Sequence, residues 1–291
     1  LRAAAWPSAT LAQDVAVPEP VPGQVVYVPF SESLDITVDG DLDDWAAYPA
    51  MTTTTGPKKS PDPAENGSIT WSVAADAEGL YLNATMPDAT IVAGEHGSQY
   101  WNEDSLEFYV NFSDDINAPR YREGISQITF SPVDFDNPDP NALEPSGTNR
   151  DALDVSGFVF PTADGWGLEA VVGWPVGFAV EHGANLGFQV HGNGSFGGNR
   201  DVKLIWSVAD ERDESWDNPS VFGSAVLYEL GATDMPALLE RSYTVPTAEV
   251  NRGLNVNQHG YLPMQRKLSI FGNEAGEPLE WELIDLSLIH I

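Results

Sequence analysis

Ser105-Leu106-Glu107-Phe108-Tyr109-Val110-Asn111-Phe112, with Trp101-Asn102-Glu103-Asp104 directly before it, is the stretch on which the fold turns. Leu106, Phe108, Val110 and Phe112 alternate with Ser105, Glu107, Tyr109 and Asn111. A period of two writes a β-strand with one apolar and one polar face, so Glu107 points away from the core. Trp101 stands ahead of the alternation among Gln99, Asn102, Glu103 and Asp104, and nothing local obliges its burial. A second tryptophan, in Asp210-Glu-Arg-Asp-Glu-Ser-Trp216-Asp-Asn-Pro-Ser220, has a still more polar setting. Two large aromatics on polar loops suit a sugar. A pyranose shows apolar C–H patches on its faces and hydroxyls round its edge, so stacking recovers apolar burial while carboxylates or amides orient the ring. The rival expectation is that both indoles fold back onto the core, as tryptophans usually do.

Outward from this strand the pattern repeats. Short runs rich in Val, Ile, Leu, Phe and Trp, bounded by Gly, Asp, Asn or Pro, fall at 34–38, 68–74, 79–84, 105–112, 125–131, 156–161, 167–174, 185–191, 203–208 and 224–230. No helix-period segment of normal length separates them, which predicts an all-β chain, an antiparallel β-sandwich of jelly-roll type. Trp71, Trp174 and Trp206 lie within such runs and Trp45 follows the Asp39-Gly40 turn; all four are expected in the core. The Gly- and Asn-rich stretch 192–199 reads as a hairpin tip rather than a nucleotide loop.

Composition narrows the partners. A net charge of -31, from 44 acidic and 13 basic residues, repels nucleic acid and anionic lipid. The absence of cysteine removes disulfides, thiolate catalysis and Cys-ligated zinc. There is no run of about 18 apolar residues, the length a membrane-spanning helix needs.

The flanks read differently. Residues 1–12 resemble the tail of a secretory signal ending in Thr10-Leu11-Ala12, with a plain leader as the rival reading. Four prolines make 13–33 an expected extended linker before a sandwich at 34–230. A polar linker with a short helix near 231–241 is expected over 231–250. Strand, turn, strand, strand follows over 251–285. The last six residues, Leu286-Ser-Leu-Ile-His-Ile291, match the translation of a library-preparation transposon end and are expected to be adapter; a natural strand is the rival.

Six strings carry a family resemblance in register: Asp35-Ile-Thr-Val-Asp-Gly-Asp-Leu-Asp-Asp-Trp45, Gly79-Leu-Tyr-Leu82, Trp101-Asn-Glu-Asp-Ser-Leu-Glu107, Gly165-Trp-Gly-Leu-Glu-Ala170, Gly187-Phe-Gln-Val190 and Ser215-Trp-Asp-Asn-Pro-Ser-Val-Phe-Gly223. Together they resemble carbohydrate-binding module family 9 over about 34–230. The resemblance implies a β-sandwich in which a sugar is held between two tryptophans, here Trp101 and Trp216, with Glu107 as the nearby carboxylate. Thr129 falls where that family's pattern implies a binding arginine, His191 where it implies an amide, and Asp213 where it implies an asparagine, so the polar contacts are rewritten. It also implies a structural calcium, for which Asp114-Asp115 and 134–139 offer oxygens; a hard cation needs about six converging oxygens. Val256-Asn-Gln-His-Gly-Tyr-Leu-Pro263, with Lys267 downstream, resembles the start of the immunoglobulin-like domain that precedes the catalytic barrel in glycoside hydrolase family 9. The implied whole is a secreted bacterial hydrolase whose catalytic domain lies in cis, with this chain as its non-catalytic polysaccharide-binding part, bound to glucan or xylan.

Other readings remain open at this point. Met86 and His191 could serve as axial haem ligands of a small-ligand domain. The chain could be a structural spacer, with both tryptophans buried. Catalysis by this chain needs two carboxyls about 5 to 10 Å apart, one with a raised pKa, and no Ser-His-Asp or phosphate-loop pattern is present to suggest another chemistry.

Overall fold

Strand-forming residues take over at Val25 and hold the chain to Glu229. The computed structural model describes residues 15–133 and 135–243, with 254–255 and 270–271. Two compact units divide the chain, Leu1–Val245 and Pro246–Ile291. In the first unit the strands are β1 (Val25–Phe30), β2 (Met51–Thr53), β3 (Ile69–Ala75), β4 (Gly79–Pro87), β5 (Ser105–Asn111), β6 (Ile125–Phe130), β7 (Val155–Pro161), β8 (Gly165–Gly173), β9 (Asn185–Ser195), β10 (Arg200–Ile205) and β11 (Gly223–Glu229). They bond in the order β6-β5-β9-β11-β1-β3-β4-β8-β7, with β10 beside β9 and β2 beside β3. Among the described residues only short 3-10 turns accompany them and no α-helix occurs.

All pairings are antiparallel except those of β1. β1 runs parallel to β11 over six residues but meets β3 only at Phe30↔Ala75. The ladder turns its corner there, and the halves on either side close over one core. Leu106, Phe108 and Val110 of β5 join Phe188 of β9, Trp71 of β3, Leu82 of β4 and Trp166 and Leu168 of β8 in a single buried cluster. This is the expected all-β sandwich.

Two expectations at the flanks need correction. The segment 13–33 is not wholly a linker, because it contains β1. The Val-Val-Tyr-Val run was masked by its prolines. Pro29 is tolerated because the Gln24 and Phe30 carbonyls face β11, accepting from the Ser224 and Leu230 N–H groups. By alternation the Pro29 nitrogen faces the side of β3, which β1 meets only at the last residue of each strand, so no ladder bond is lost. Residues 34–38 form no strand; Leu34, Ile36 and Val38 instead pack with Trp45, Ala74 and Tyr81 in a satellite cluster. At the other flank, 231–241 is not helical, and the chain is held to the sandwich through its backbone and the Arg241 side chain. Asn185 bonds Ala237 and Leu239, while the Arg241 guanidinium donates to the Ile116 and Phe222 carbonyls.

Trp45, Trp71 and Trp206 are buried as expected, and Trp174 is half-buried against the core. Trp45 has a partner. Its indole N–H donates to Oε1 of Glu169, a buried side chain of β8, at 2.7 Å, while the Asp39 and Gly40 N–H groups donate to Oε2 at 2.9 Å. Burial pushes the Glu169 carboxyl up despite these donors. Trp45→Phe removes one of them and trades the indole for a smaller phenyl ring, and is expected to cost about 1–3 kcal/mol of stability. The measurement is the urea unfolding midpoint; an unchanged midpoint would show that the indole N–H contributes nothing there.

In the second unit, β12 (Leu254–Asn255) and β13 (Ile270–Phe271) pair antiparallel. Residues 1–12, the string 256–263 and the final 286–291 lie outside the described residues.

Candidate functional site

β5 lies between β6 and β9, and on its non-core side the strands line up in rungs. Thr129, Glu107 and His191 form one rung, and Gln127, Tyr109 and Gln189 the next. The strand period makes Glu107 face away from the core, as expected. It does not make it exposed: Glu107 and Tyr109 are each 1% accessible. Loops from elsewhere in the chain roof this face.

Glu107 has collected donors. Its Oε2 accepts from Lys203 Nζ at 2.7 Å and from the Tyr109 hydroxyl at 2.7 Å, and lies 3.3 Å from His191 Nδ1. Oε1 accepts only a long 3.3 Å bond from the Gln127 amide among the described residues. Burial alone would raise this carboxyl, but Lys203 and His191 overcome it and hold Glu107 well below the usual carboxylate range. The Tyr109 hydroxyl is driven well up by burial and by the Glu107 charge. Lys203 also reaches Asp213 Oδ1 at 3.3 Å, and Arg200 donates to Asp213 Oδ2 at 2.7 Å and Asn193 Oδ1 at 3.1 Å.

Each exposed tryptophan sits on a loop pinned by the acidic residues that make its surroundings polar. In the first loop, Glu103 accepts from the Gly94 and His96 N–H groups, and Asp104 accepts from Val92 and Ser195. Both carboxyls are buried. Burial pushes Asp104 up to about 8, with the neighbouring Asp88 charge adding to the shift. In the second loop the hub is Asp210, which accepts from the Glu214 and Ser215 N–H groups and the Ser215 hydroxyl. Burial would raise Asp210, but His191 and these donors hold it below the ordinary value. His191 Nε2 lies 3.3 Å from Asp210 Oδ2, so the imidazole stands between the floor carboxylate and the carboxylate that shapes the Trp216 loop.

One cavity of about 470 Å³ opens above this floor, lined by Tyr100, Trp101, Glu107, Tyr109, Gln127, Thr148, Arg200, Lys203, Asp213 and Trp216. Trp101 is 43% and Trp216 60% exposed. Of the residues expected at a site, Trp101, Trp216, Glu107 and Asp213 line it together. His191 and Thr129 do not. His191 is fully buried behind Glu107, and Thr129 is buried on β6 with its hydroxyl unpaired. Sequence reasoning missed Arg200 and Lys203. A signal existed for Lys203, since Val202 and Leu204 turn to the core and leave Lys203 for the Glu107 face; for Arg200, at the start of β10, there was none.

Met86 does not fit the haem reading. It lies in the apolar core while His191 faces the opposite side of β9, so the two cannot clasp one ligand. The expected calcium donors do not converge either. Asp114 is taken by Arg122 at 2.7 Å, Asp115 accepts from the Asn117 N–H and Asp139 from the Asn141 N–H, while Asp134 lies outside the described residues. Among the described residues no three His, Asp or Glu side chains gather as a metal-binding group.

A family model described as carbohydrate family 9 binding domain-like matches residues 38–230. Two solved structures from Caldicellulosiruptor kristjanssonii share the fold. A family 9 carbohydrate-binding module in complex with cellotriose superposes with a TM-score of 0.57 at 16% identity, covering 75% of this chain and 100% of that one. The module in complex with glucose gives 0.56 at 17% identity, covering 73% and 100%. No curated protein matches the chain.

Proposed function

The chain belongs to the carbohydrate family 9 binding domain-like family, and from that footing we propose that it is a non-catalytic module which holds a neutral glucan or xylan unit between Trp101 and Trp216. The observation that carries this is one cavity walled by two part-exposed indoles from loops 115 positions apart in sequence, over a polar floor. The plates take the apolar faces of the ring, and Glu107 Oε1, the least occupied oxygen of the floor, accepts from a sugar hydroxyl. Arg200 supplies the guanidinium that the family pattern places at position 129, and Asp213 is held beside it. His191 acts through Glu107 and Asp210 rather than on the ligand.

Charge decides between ligands and chemistries. The lining carries two carboxylates, Glu107 and Asp213, against two cations, Arg200 and Lys203, so it favours an uncharged ring over a uronate. Glu107 is depressed, not raised, which is unlike the acid that glycoside hydrolysis requires. A single ring between two aromatics binds weakly, on the order of micromolar to millimolar. Tethering converts that into a high local concentration of a hydrolase on its polysaccharide. The leader-like start and the string 256–263 support a secreted bacterial parent with a catalytic domain in cis.

Calorimetry of the full chain against cellotriose, glucose, xylotriose and galacturonate oligomers tests the reading. Heat is expected with neutral glucan or xylan oligomers and not with the uronates. Silence with every neutral sugar would reject it.

A further inference from the structure

The sugar cavity has a neighbour. A second cavity of about 340 Å³ opens between β6 and β7, the strands that end the ladder on either side, with Phe130 of β6 on one wall and Phe158 and Val159 of β7 on the other. End strands that do not bond to each other leave a seam, and here the seam is not filled. Gly94 and Gly97, on the loop that carries Trp101, line it with left-handed backbone at φ 75 and 58, and an added Cβ on either would meet no atom within 4 Å.

The two cavities lie in line. Tyr100 walls both, half-buried and edge-on to Trp101 at 5.3 Å. Along β6 and its exit, Gln127 lines the first and Ser131 the second, four residues or about 13 Å further on. The strap over the β6 edge runs the same way. Thr148, whose carbonyl accepts from the Gln127 N–H, lines the first cavity, and Ser146, which exchanges both backbone bonds with Thr129, lines the second. An oligosaccharide covers that distance and a single ring does not.

The second lining also has the chemistry of a sugar site. Tyr100 and Phe158 supply aromatic surface, while Ser131, Ser146, Asn137 and Glu144 supply hydroxyl, amide and carboxylate groups. Glu103 is engaged by the Gly94 and His96 N–H groups, so Glu144, which is exposed, is the carboxylate left for a ligand. Among the described lining residues there is no Lys, Arg or His, and the chain as a whole is strongly acidic, which disfavours a phosphate or a uronate.

We propose that the second cavity is a further subsite for the same neutral polysaccharide, receiving the units beyond the ring held by Trp101 and Trp216, with Tyr100 as the shared wall that the chain passes. The subsite rests on the reading of Trp101 and Trp216 as the sugar site and extends it, from a module that grips one ring to one that reads the length of a glucan or xylan chain. A ring seated beyond the first is tethered by its glycosidic bond, so it binds at a high effective concentration and adds affinity that a monosaccharide cannot show.

Calorimetry of the full chain with cellobiose and cellohexaose, and with xylobiose and xylohexaose, reads the second cavity. In the series that binds, the hexasaccharide should bind about tenfold tighter than the disaccharide, the gain of one more stacked ring with a hydrogen bond. Ala142→Trp, which puts a large ring at an exposed lining position, and Asn137→Ala combined with Glu144→Ala should each bring the hexasaccharide down to the affinity of the disaccharide and leave the disaccharide where it was. Equal affinities for the two lengths in the unaltered chain overturn the subsite and leave the Trp101 and Trp216 site standing. Silence with all four sugars rejects that site, and the subsite with it. A length gain that survives both alterations overturns the route past Tyr100. Its loss in Phe196→Ala would instead send the chain over the β9–β10 hairpin, where Phe196 follows the Ser195↔Arg200 pair and is 42% exposed.

Discussion

Trp216→Ala is expected to abolish retention on immobilised cello-oligosaccharide while leaving the unfolding midpoint where it was. The separation of the two readouts follows from burial. Trp216 is 60% exposed, so its removal leaves the core untouched, and exposed substitutions usually shift stability by no more than about 0.5 kcal/mol. A sugar stacked on the indole covers that exposed face, and losing the plate forfeits about 1–3 kcal/mol of apolar contact. That is about a five- to 150-fold loss of affinity, enough at its upper end to take a weak ligand out of the measurable range. Trp101→Ala should do the same, with a slightly larger stability cost because Trp101 is 43% exposed and packs edge-on against Tyr100 at 5.3 Å. Trp216→Phe keeps a flat apolar face and should retain part of the binding. Undiminished retention in both alanine variants would remove the cavity from consideration. A midpoint that falls in step with retention would mean that the indoles are structural.

The architecture and the exposure of the two loop tryptophans were legible because each rests on local pattern. A period of two is written along β5, β9 and most of β6 and needs no knowledge of the partner strands. The exposure of Trp101 and Trp216 could be read from their polar neighbours, although for a different reason than solvation: Glu103, Asp104 and Asp210 are buried anchors that fold the loops back and leave the indoles outside. What could not be read was the roof. Whether the second face of a strand meets water depends on loops that return from 100 and 216, and so the burial of Glu107 and of His191 had no local signal. β1 was hidden for another reason. Its valines read as strand only once Pro29 is known to face the side without a partner, and that is a property of the pairing, not of the segment.

Lys203→Ala carries the largest expected stability loss, about 3–5 kcal/mol, since it strips the cation from a buried ion pair and leaves the partner charge behind. Lys203 and Glu107 are each 1% exposed with Nζ 2.7 Å from Oε2. Of the donors that remain, the Tyr109 hydroxyl and the Gln127 amide are neutral, and His191 is shared with Asp210. Pairing Lys203→Met with Glu107→Leu removes both charges at once, so the double variant should be less destabilised than the sum of the singles; a sum that is simply additive would deny the coupling. Acid provides the second readout. Glu107 is held well below its ordinary value of 4.5 and Asp210 below 3.8. A carboxyl whose folded pKa is depressed contributes stability that is present above its unfolded pKa and lost as pH falls through the folded value, because below about pH 4.5 the unfolded chain binds more protons. Stability of the unaltered chain should therefore decline below that pH. In Lys203→Met the main attraction that keeps Glu107 ionised is gone, so the decline should be shallower on this account. An acid limb as steep in Lys203→Met as in the unaltered chain would show that some other group, and not this ammonium, keeps the floor of the cavity charged.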